Sequence, residues 1–492
     1  MVNPALLLAG PLALAFLVPV VRYVSQGAVK WIPVFALSFN FIGSVLLIPS
    51  TLDEAVVTEI GGFSVPLCIN LVAGPLGTIL SSFIALIGLL VAIYSFGYIK
   101  EGPTARYYTL FLLLLVGATG IVLTGDVFNL FVFFEILCIS SYSLVAYLGD
   151  KSGVEASFKY LVQGSVGSSL LLLGIGLLYG QYGTLNMGDL AGRIGGVGSP
   201  SVFVPMMLMV TGLGVEAAIF PLNAWLPDAH SSAPSSISAV LSGIAISVGL
   251  YAVARVIFTV FGGAVILQAL AVIGLMTLLI GELSAFSQDD IKRLLAYSSI
   301  GQMGLIALGF GIATGEGVSG GLFQLISHGL SKALLFLSVG YMIYRVGSKR
   351  ISSLRGSWKR TPVAALGFAV GAFSLIGLPP FIGFPGKFLI VRAALLRGDL
   401  FYTVLVAFLL FATLVEAGYF LKIVQVIFFT EREGSSPGKE IVPVSGLIPI
   451  VVLMILILLV GVYPGLITGF VDSAAAELTA RADYFTVVMG VS

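Results

Sequence analysis

The chain has 492 residues, of which 58% are hydrophobic and only 10% are charged, and its formal net charge at pH 7 is +1. This composition excludes an ordinary soluble domain and a basic nucleic-acid-binding surface. It predicts a polytopic, all-α integral membrane protein, because a helix satisfies its own backbone hydrogen bonds in lipid.

The apolar runs, taken in chain order, are long enough to cross a bilayer, which requires about twenty residues each. The first run has no basic residue before Arg22, so we expect a membrane span there and not a cleaved signal peptide. We expect about fourteen transmembrane helices, near residues 4–21, 31–50, 74–98, 107–124, 127–148, 158–181, 202–221, 235–261, 264–286, 294–313, 318–345, 361–396, 401–429 and 442–470.

Basic residues are concentrated in alternate loops, which predicts the orientation of the chain, since Lys and Arg near span ends favour the cytoplasm. The odd-numbered loops hold Arg22, Lys30, Lys100, Arg106, Lys151, Lys159, Lys292, Arg293, Arg345, Lys349, Arg350, Arg355, Lys359 and Arg360. The even loops hold mainly acids, with Arg193 and Arg397 as their clear basic residues. We therefore expect a multi-pass protein of the cell membrane with both termini outside the cytoplasm.

Prolines interrupt two of the predicted spans. They are Pro221, Pro227 and Pro234 in the first, and Pro379, Pro380 and Pro385 in the second. A proline inside a helix frees backbone carbonyls, and paired broken helices in inverted repeats mark ion paths in transporters. A simple kink is the alternative, but each interruption lies beside an ionisable residue, which favours an ion path.

Several ionisable side chains lie within the apolar runs. They are Glu135, Glu216, His328, Lys332, Lys387 and Glu416. Such residues are expensive in hydrocarbon, so they usually face protein or water and serve translocation. This set predicts an ion pathway.

The individual positions leave alternatives open. Glu135 is either a proton-exchanging carboxylate or a structural hydrogen-bond acceptor. Lys387 follows the second interruption and is the best candidate for a titrating lysine, with snorkelling to the interface as the alternative. His328 and Lys332 are one turn apart on one helical face and suggest a short relay, although His328 could equally be a core histidine. Glu416 lies in the middle of its span.

Several motifs in this order resemble the antiporter-like membrane subunits of respiratory complex I, Mrp-type cation/proton antiporters, membrane-bound hydrogenases and related sulfur reductases. The resemblance covers about residues 70 to 430. It rests on Phe133-Phe-Glu135 with Ser141-Tyr142, residues 217–230 (AAIFPLNAWLPDAH), residues 290–299 (DIKRLLAYSS), Ser327-His328 with Lys332, and Gly377-Leu-Pro-Pro380 with Gly383-Phe384.

The resemblance implies one transmembrane domain over 1–492, with fourteen helices and two inverted five-helix repeats that each contain a discontinuous helix. We place the N-terminal helices at 1–105, the repeats at 106–261 and 264–429, and a loop, the last helix and a tail at 430–492. It also implies partner membrane subunits, including paralogous ones, in the lipid bilayer, and transport of H⁺ and possibly Na⁺.

The first half of the chain departs from the family pattern. The family pairs a glutamate on the fifth helix with lysines on the seventh and eighth, but here Glu216 and Ser247 occupy the lysine positions. Two nearby carboxylates are costly when both are charged, so Glu135 and Glu216 are predicted to share one proton. A monovalent cation between them, or a half-channel that no longer conducts, are the alternatives.

We therefore predict an ion-translocating subunit of a redox-driven membrane complex. The alternatives are a subunit of a stand-alone Mrp-type cation/proton antiporter and a non-conducting structural paralogue. Cys68 and Cys138 lack a CxxC partner, and His230 and His328 do not suggest a haem site. We expect no catalytic residue, cofactor, metal or nucleic-acid site on this chain, and any redox centre on partner subunits.

Overall fold

The computed structural model describes residues 2–99, 103–430 and 444–490, without the side chains of Asp53 and Ala264; Lys100, one of the basic loop residues, lies outside these ranges. Helices dominate the described residues. The α-helices are α1 Leu6–Val24, α2 Trp31–Asp53, α3 Pro75–Tyr98, α4 Thr104–Leu123, α5 Val127–Val145, α6 Lys151–Tyr182, α7 Met187–Arg193, α8 Pro200–Glu216, α9 Leu226–Ser232, α10 Ser235–Val240, α11 Ile246–Arg255, α12 Ala264–Phe286, α13 Ile291–Gly311, α14 Gly315–Val346, α15 Pro362–Ile376, α16 Gly383–Leu396, α17 Leu400–Phe428, α18 Leu447–Val462, α19 Gly465–Thr479 and α20 Arg481–Met489.

Short segments of other helix types join some of these elements. Leu241–Ala245 and Val256–Phe261 are π-helical; the first joins α10 to α11 and the second extends α11, which gives one run, Ser235–Phe261. Ile351–Leu354, Ser357–Lys359 and Val444–Gly446 are 3₁₀-helical.

The all-helical membrane architecture predicted from composition is confirmed. Among the described residues, 12 helices are long and apolar enough to cross a membrane. Two shorter apolar helices, α8 and α15, occupy the positions of the predicted broken spans. The total of fourteen spans and the inverted-repeat relationship remain predictions.

One β-hairpin precedes α3 and was not predicted. Val56–Ile60 pairs antiparallel with Ile69–Ala73, with Val56 opposite Ala73. The N–H of Gly125 donates to the carbonyl of Asn70 at 2.9 Å, which ties the hairpin to the segment between α4 and α5. β-Branched residues such as Val56, Val57 and Thr58 favour the extended conformation of its first strand.

The first interruption lies between α8 and α9, over residues 217–225. Pro221 is inside this gap, and Pro227 lies in the first turn of α9, where the missing proline N–H is tolerated. Pro234 is the N-cap of α10, so it separates two helices and does not break the interior of one.

The second interruption separates α15 from α16 at residues 377–382. Pro379 and Pro380 lie inside it, and Pro385 is in the first turn of α16. Gly377 ends α15 with φ +86°, a left-handed conformation that favours glycine at a helix C-terminus.

Close helix contacts depend on glycines. A Cβ added at Gly274 in α12 would lie 2.6 Å from the backbone nitrogen of Leu308 in α13. A Cβ at Gly167 in α6 would lie 2.9 Å from the carbonyl oxygen of Gly212 in α8. Small residues at such contacts let transmembrane helices pack at short range.

The last predicted span is shorter than the apolar run 442–470. Helix α18 ends at Val462, and α19 starts as a separate helix at Gly465. Pro464 lies between them and lacks the N–H that would continue the first helix.

Charged side chains connect the two C-terminal helices to the rest of the chain through hydrogen bonds and an ion pair. Glu477 accepts a hydrogen bond from the N–H of Leu76 at 2.8 Å and pairs with Arg255 at 3.3 Å. Arg481 donates to the carbonyl of Ala191 at 2.9 Å. These contacts join α19 and α20 to the start of α3, the end of α11 and α7.

Candidate functional site

Lys387 and Glu416 form a buried ion pair. The Lys387 Nζ lies 2.6 Å from Glu416 Oε2, and the residues are 8% and 1% exposed. Lys387 follows the second interruption, and its ammonium also donates to the carbonyl of Ile376, the last residue of α15, at 3.1 Å. The interruption thus supplies an acceptor to the same ammonium that pairs with the carboxylate.

Two glutamines extend this pair toward α14. Gln302 Nε2 donates to Glu416 Oε1 at 2.7 Å, and Gln324 Nε2 donates to Gln302 Oε1 at 2.7 Å. Both amides are fully buried, and Gln324 Oε1 has no hydrogen-bond partner among the described residues. A buried acceptor of this kind is normally satisfied, often by an internal water.

Lys332 lies in α14, two turns beyond Gln324. Its ammonium is fully buried and donates to the carbonyl of Leu295 at 3.0 Å and to Ser298 Oγ at 2.8 Å. Both acceptors belong to α13. The lysine is therefore held by neutral groups, and compensation of its charge has to come from carboxylates further away.

Glu282 in α12 supplies one of these carboxylates and was missed in the sequence analysis. It is 1% exposed, and Tyr419 donates to its Oε2 at 2.7 Å. Lys332, Lys387 and Glu416 are all within electrostatic range of it. These four charged groups come from four different helices, and the negative charges of the two acids balance the positive charges of the two bases. Its position within the apolar run 264–286 was the sequence signal that could have identified Glu282.

His328 and Lys332 are one turn apart on α14, but their side chains contact different helices. Its Nε2 lies 3.0 Å from the carbonyl oxygen of Ser242, in the π-helical segment. Its Nδ1 has no partner among the described residues. Ser242 Oγ contacts Ser299 Oγ at 2.7 Å, one position beyond the Ser298 hydroxyl that binds Lys332.

The first half holds a separate acidic site around Glu216, the last residue of α8. This residue is 1% exposed. Tyr160 donates to Glu216 Oε1 at 2.6 Å, and Cys138 Sγ lies 3.4 Å from Oε2. The Tyr160 ring stacks on Trp225 at 3.6 Å, and the Trp225 indole donates to the carbonyl of Val215 at 2.9 Å.

Glu135 is half-buried on α5, one turn before Cys138. No hydrogen bond joins it to Glu216 among the described contacts; the contacts of the Glu216 oxygens are with Tyr160 and Cys138. A phenol and a thiol contact Glu216, and Glu135 is a nearby charge, so the sharing of one proton between the two acids stays a prediction.

Ser247, the second position that departs from the family pattern, is 1% exposed, and its hydroxyl has no partner among the described residues. It borders a small cavity of about 10 Å³ with Phe83, Tyr251 and Leu325. This volume is close to that of one water molecule. In the described part of the chain, no group of three His, Cys, Asp or Glu side chains could hold a metal ion.

Comparison with protein families and curated proteins gives a consistent result. Residues 124–414 match the family model described as NADH:quinone oxidoreductase/Mrp antiporter, TM. The N subunit of the NADH-quinone oxidoreductase of Desulforudis audaxviator is 35% identical over 425 residues, covering 82% of this chain and 84% of that protein. The D-type subunit of the Na(+)/H(+) antiporter of Bacillus subtilis is 32% identical over 465 residues, covering 93% and 94%.

Solved structures show the same fold. A chain of the membrane-bound sulfane sulfur reductase, an archaeal respiratory membrane complex, is 36% identical with a TM-score of 0.92, covering 99% of both chains. A chain of the Mrp complex from a Dietzia species is 27% identical with a TM-score of 0.90, covering 100% of both. A chain of respiratory complex I from Thermus thermophilus, at 24% identity, TM-score 0.78 and 94% and 98% coverage, is similar in fold.

Proposed function

The chain belongs to the NADH:quinone oxidoreductase/Mrp antiporter transmembrane family, and we propose that it moves H⁺ or Na⁺ across the cell membrane within a redox-driven complex. It is an antiporter-like subunit of a multisubunit membrane complex. The redox reaction belongs to partner subunits in this proposal, and this chain contributes the ion path.

The observation that carries the proposal is the balanced cluster of Glu282, Lys332, Lys387 and Glu416. A buried ion pair is weak support for stability, since apolar residues of similar volume often stabilise a fold as well or better. Four ionisable groups at membrane depth are therefore better explained by translocation. The unpaired oxygens of Gln324 and Glu282 supply places for water between them.

The proposed path through the second half includes His328, Lys332, Lys387 and Glu416. A cation that moves past Lys387 would attract the Glu416 carboxylate away from the Lys387 ammonium. Gln302 would keep its hydrogen bond to the carboxylate during this step. Alternation between paired and separated states couples a charge movement at one end of the cluster to a charge movement at the other.

For the first half of the chain, we propose a different kind of ion site. Glu216 lacks a basic partner among the described residues and accepts from Tyr160 and Cys138 instead. Neutralising this carboxyl requires a proton or a monovalent cation, so we propose an altered half-channel in which Glu216 binds the ion and Glu135 contributes a second charge. A half-channel that does not conduct remains the alternative for this half.

The gradient-driven antiporter is the second candidate, and the similarity to a Na(+)/H(+) antiporter protein over 93% of the chain favours it. The similarity to a chain of an archaeal respiratory complex, at 36% identity, favours the redox-driven complex. Purification of the native complex separates the two candidates: copurified subunits with cysteine-ligated clusters indicate redox coupling, and their absence indicates a stand-alone antiporter.

Lys387→Met in the native complex tests the ion path. We expect H⁺ and Na⁺ transport by inverted membrane vesicles to fall by tenfold or more, since a barrier higher by about 1.4 kcal/mol slows a step tenfold. Transport is followed with a pH-sensitive dye and with radioactive sodium.

The matched control is Arg392→Gln. Arg392 lies on the same helix, is exposed, and pairs with Glu316 at 3.2 Å. Such a surface pair contributes little. Transport at the wild-type rate in Lys387→Met, with the complex intact, would favour the non-conducting paralogue.

A further inference from the structure

A cavity of about 500 Å³ lies where the ends of α14 and α17 meet the loop that leads to α15. It is separate from the buried charged clusters. Its lining includes Val346 at the end of α14, the loop residues 355–360, and Phe428, Phe429 and Thr430 at the end of α17. These parts are two helix ends and a connecting loop, so the cavity is at the edge of the spans and not in their interior.

Hydrogen bonds position the loop that lines the cavity. The N–H of Gly356 donates to the carbonyl of Val426 at 3.1 Å, which fastens the loop to α17. Gly356 has φ +62°, a left-handed conformation in which glycine is favoured. Ser357 is buried, and Thr361 Oγ1 donates to its carbonyl at 3.0 Å. The loop is therefore held in one conformation before any ligand binds.

The lining is basic. It contains Arg355, Lys359 and Arg360, and the described lining residues include no acid. Within the described part of the chain, Arg355 and Arg360 make no ion pair, and both side chains are exposed. Two guanidinium groups on one cavity wall match the geometry of phosphate oxygens, which they bind with two hydrogen bonds at a time.

Aromatic side chains form the rim. Trp358 is 40% exposed and stacks on Phe428, with ring centroids 6.4 Å apart, while Phe429 is 80% exposed. Trp is enriched at membrane–water interfaces, where one side of the ring is wet and the other apolar. A ligand that binds here contacts a charged wall and an apolar rim together.

We propose that this cavity binds the phosphate headgroup of an anionic phospholipid. Basic pockets between transmembrane helices bind such headgroups, and the apolar rim suits the start of the acyl chains. Exposed apolar side chains on α17, such as Leu421 and Leu414, continue along the helix toward the membrane interior. A soluble phosphate would use the guanidinium groups alone and leave this apolar surface without a role.

The test uses the native complex in detergent, equilibrated with equal amounts of dioleoylphosphatidylglycerol and dioleoylphosphatidylcholine, and native mass spectrometry of the retained lipids. We expect preferential retention of phosphatidylglycerol by the wild type. Arg355→Gln with Arg360→Gln should lower its affinity by roughly tenfold or more, because it removes both guanidinium groups that bind the phosphate.

The matched control removes two positive charges elsewhere, with Lys151→Gln and Arg397→Gln, and should retain the lipid. Equal retention of both lipids by the wild type would overturn the proposal without reference to any variant. So would unchanged retention in the Arg355/Arg360 variant, or displacement of the lipid by excess inorganic phosphate. Failure here leaves the proposed ion path untouched, because no residue is shared.

Discussion

At the residue scale, the two halves of the chain compensate buried charge in different ways. Lys387 and Glu416 balance each other directly at 2.6 Å. Glu216 has only neutral donors, a phenol at 2.6 Å and a thiol at 3.4 Å. A carboxylate stabilised by neutral donors alone is sensitive to the loss of either one. The first half therefore depends on Tyr160 more than the second half depends on any single neutral group.

Tyr160→Phe is expected to destabilise the complex by about 1–3 kcal/mol, the usual penalty for leaving a buried polar group unsatisfied. The thermal denaturation midpoint of the purified complex measures this effect. Tyr179→Phe is the control, because Tyr179 lies on the same helix and is 53% exposed. Equal midpoints for the two variants would show that Tyr160 does not support Glu216.

The buried ionisable residues were largely identifiable from the sequence, since hydropathy makes Lys387 and Glu416 conspicuous. Their pairing was not, because it depends on how α16 and α17 pack. Glu282 was overlooked although the same rule applies to it. The hydrogen bond from Tyr160 to Glu216 was beyond sequence reasoning, since 56 positions separate these residues along the chain.

At the element scale, a side chain donates to a backbone carbonyl beside each helix interruption. Ile376 at the end of α15 accepts from Lys387 at 3.1 Å, and Val215 near the end of α8 accepts from Trp225 at 2.9 Å. In one half the donor is a charged residue of the cluster, and in the other it is a neutral indole. Each of these two side chains thus satisfies a backbone carbonyl beside an interruption.

Gly304→Ala in α13 is expected to destabilise the complex by about 1–3 kcal/mol through overpacking. A Cβ there would meet the backbone of Leu278 and Gly274 in α12. Gly176→Ala in α6 is the matched control, because nothing lies within 4 Å of its Cβ and alanine favours a helix. Thermal denaturation measures both, and a Gly304→Ala variant as stable as Gly176→Ala would contradict the packing account.

Spans and interruptions were predictable because hydropathy and proline act locally. The hairpin Val56–Ile60 with Ile69–Ala73 was not, since its contact with the segment between α4 and α5 forms only in the folded chain. The end of α18 at Val462 was also missed, because the apolar run continues past Pro464. The local composition correctly indicates an apolar segment, but Pro464 determines where the helix ends.

At the scale of the whole molecule, α19 and α20 bind to several elements that are distant from them in the sequence. Glu477 joins the start of α3 to Arg255, and Arg481 donates to carbonyls in α7 and just after it. These contacts connect the C-terminal residues to parts of the chain 222 to 401 positions earlier. Sequence reasoning assigned this region only to a last helix and a tail, because such distant contacts leave no local pattern.

Arg481→Gln is expected to loosen the two C-terminal helices, since it removes a charged donor from two backbone carbonyls, those of Ala191 and Ile194. Limited proteolysis of the complex should then cleave within residues 463–490 faster than in the wild type. Arg397→Gln removes an equal charge elsewhere and should leave the rate unchanged. An unchanged rate in Arg481→Gln would show that other contacts hold these helices.

The central claim is that the paired charges of the second half serve ion movement and not stability. The double variant Lys387→Met with Glu416→Gln tests it most directly, because removing both charges leaves no uncompensated ion, whereas losing one partner costs about 3–5 kcal/mol. The decisive measurement is ion transport by vesicles carrying the double variant, with its thermal denaturation midpoint recorded alongside. We expect near-normal stability and transport reduced by tenfold or more; transport at the wild-type rate in a stable complex would contradict the account.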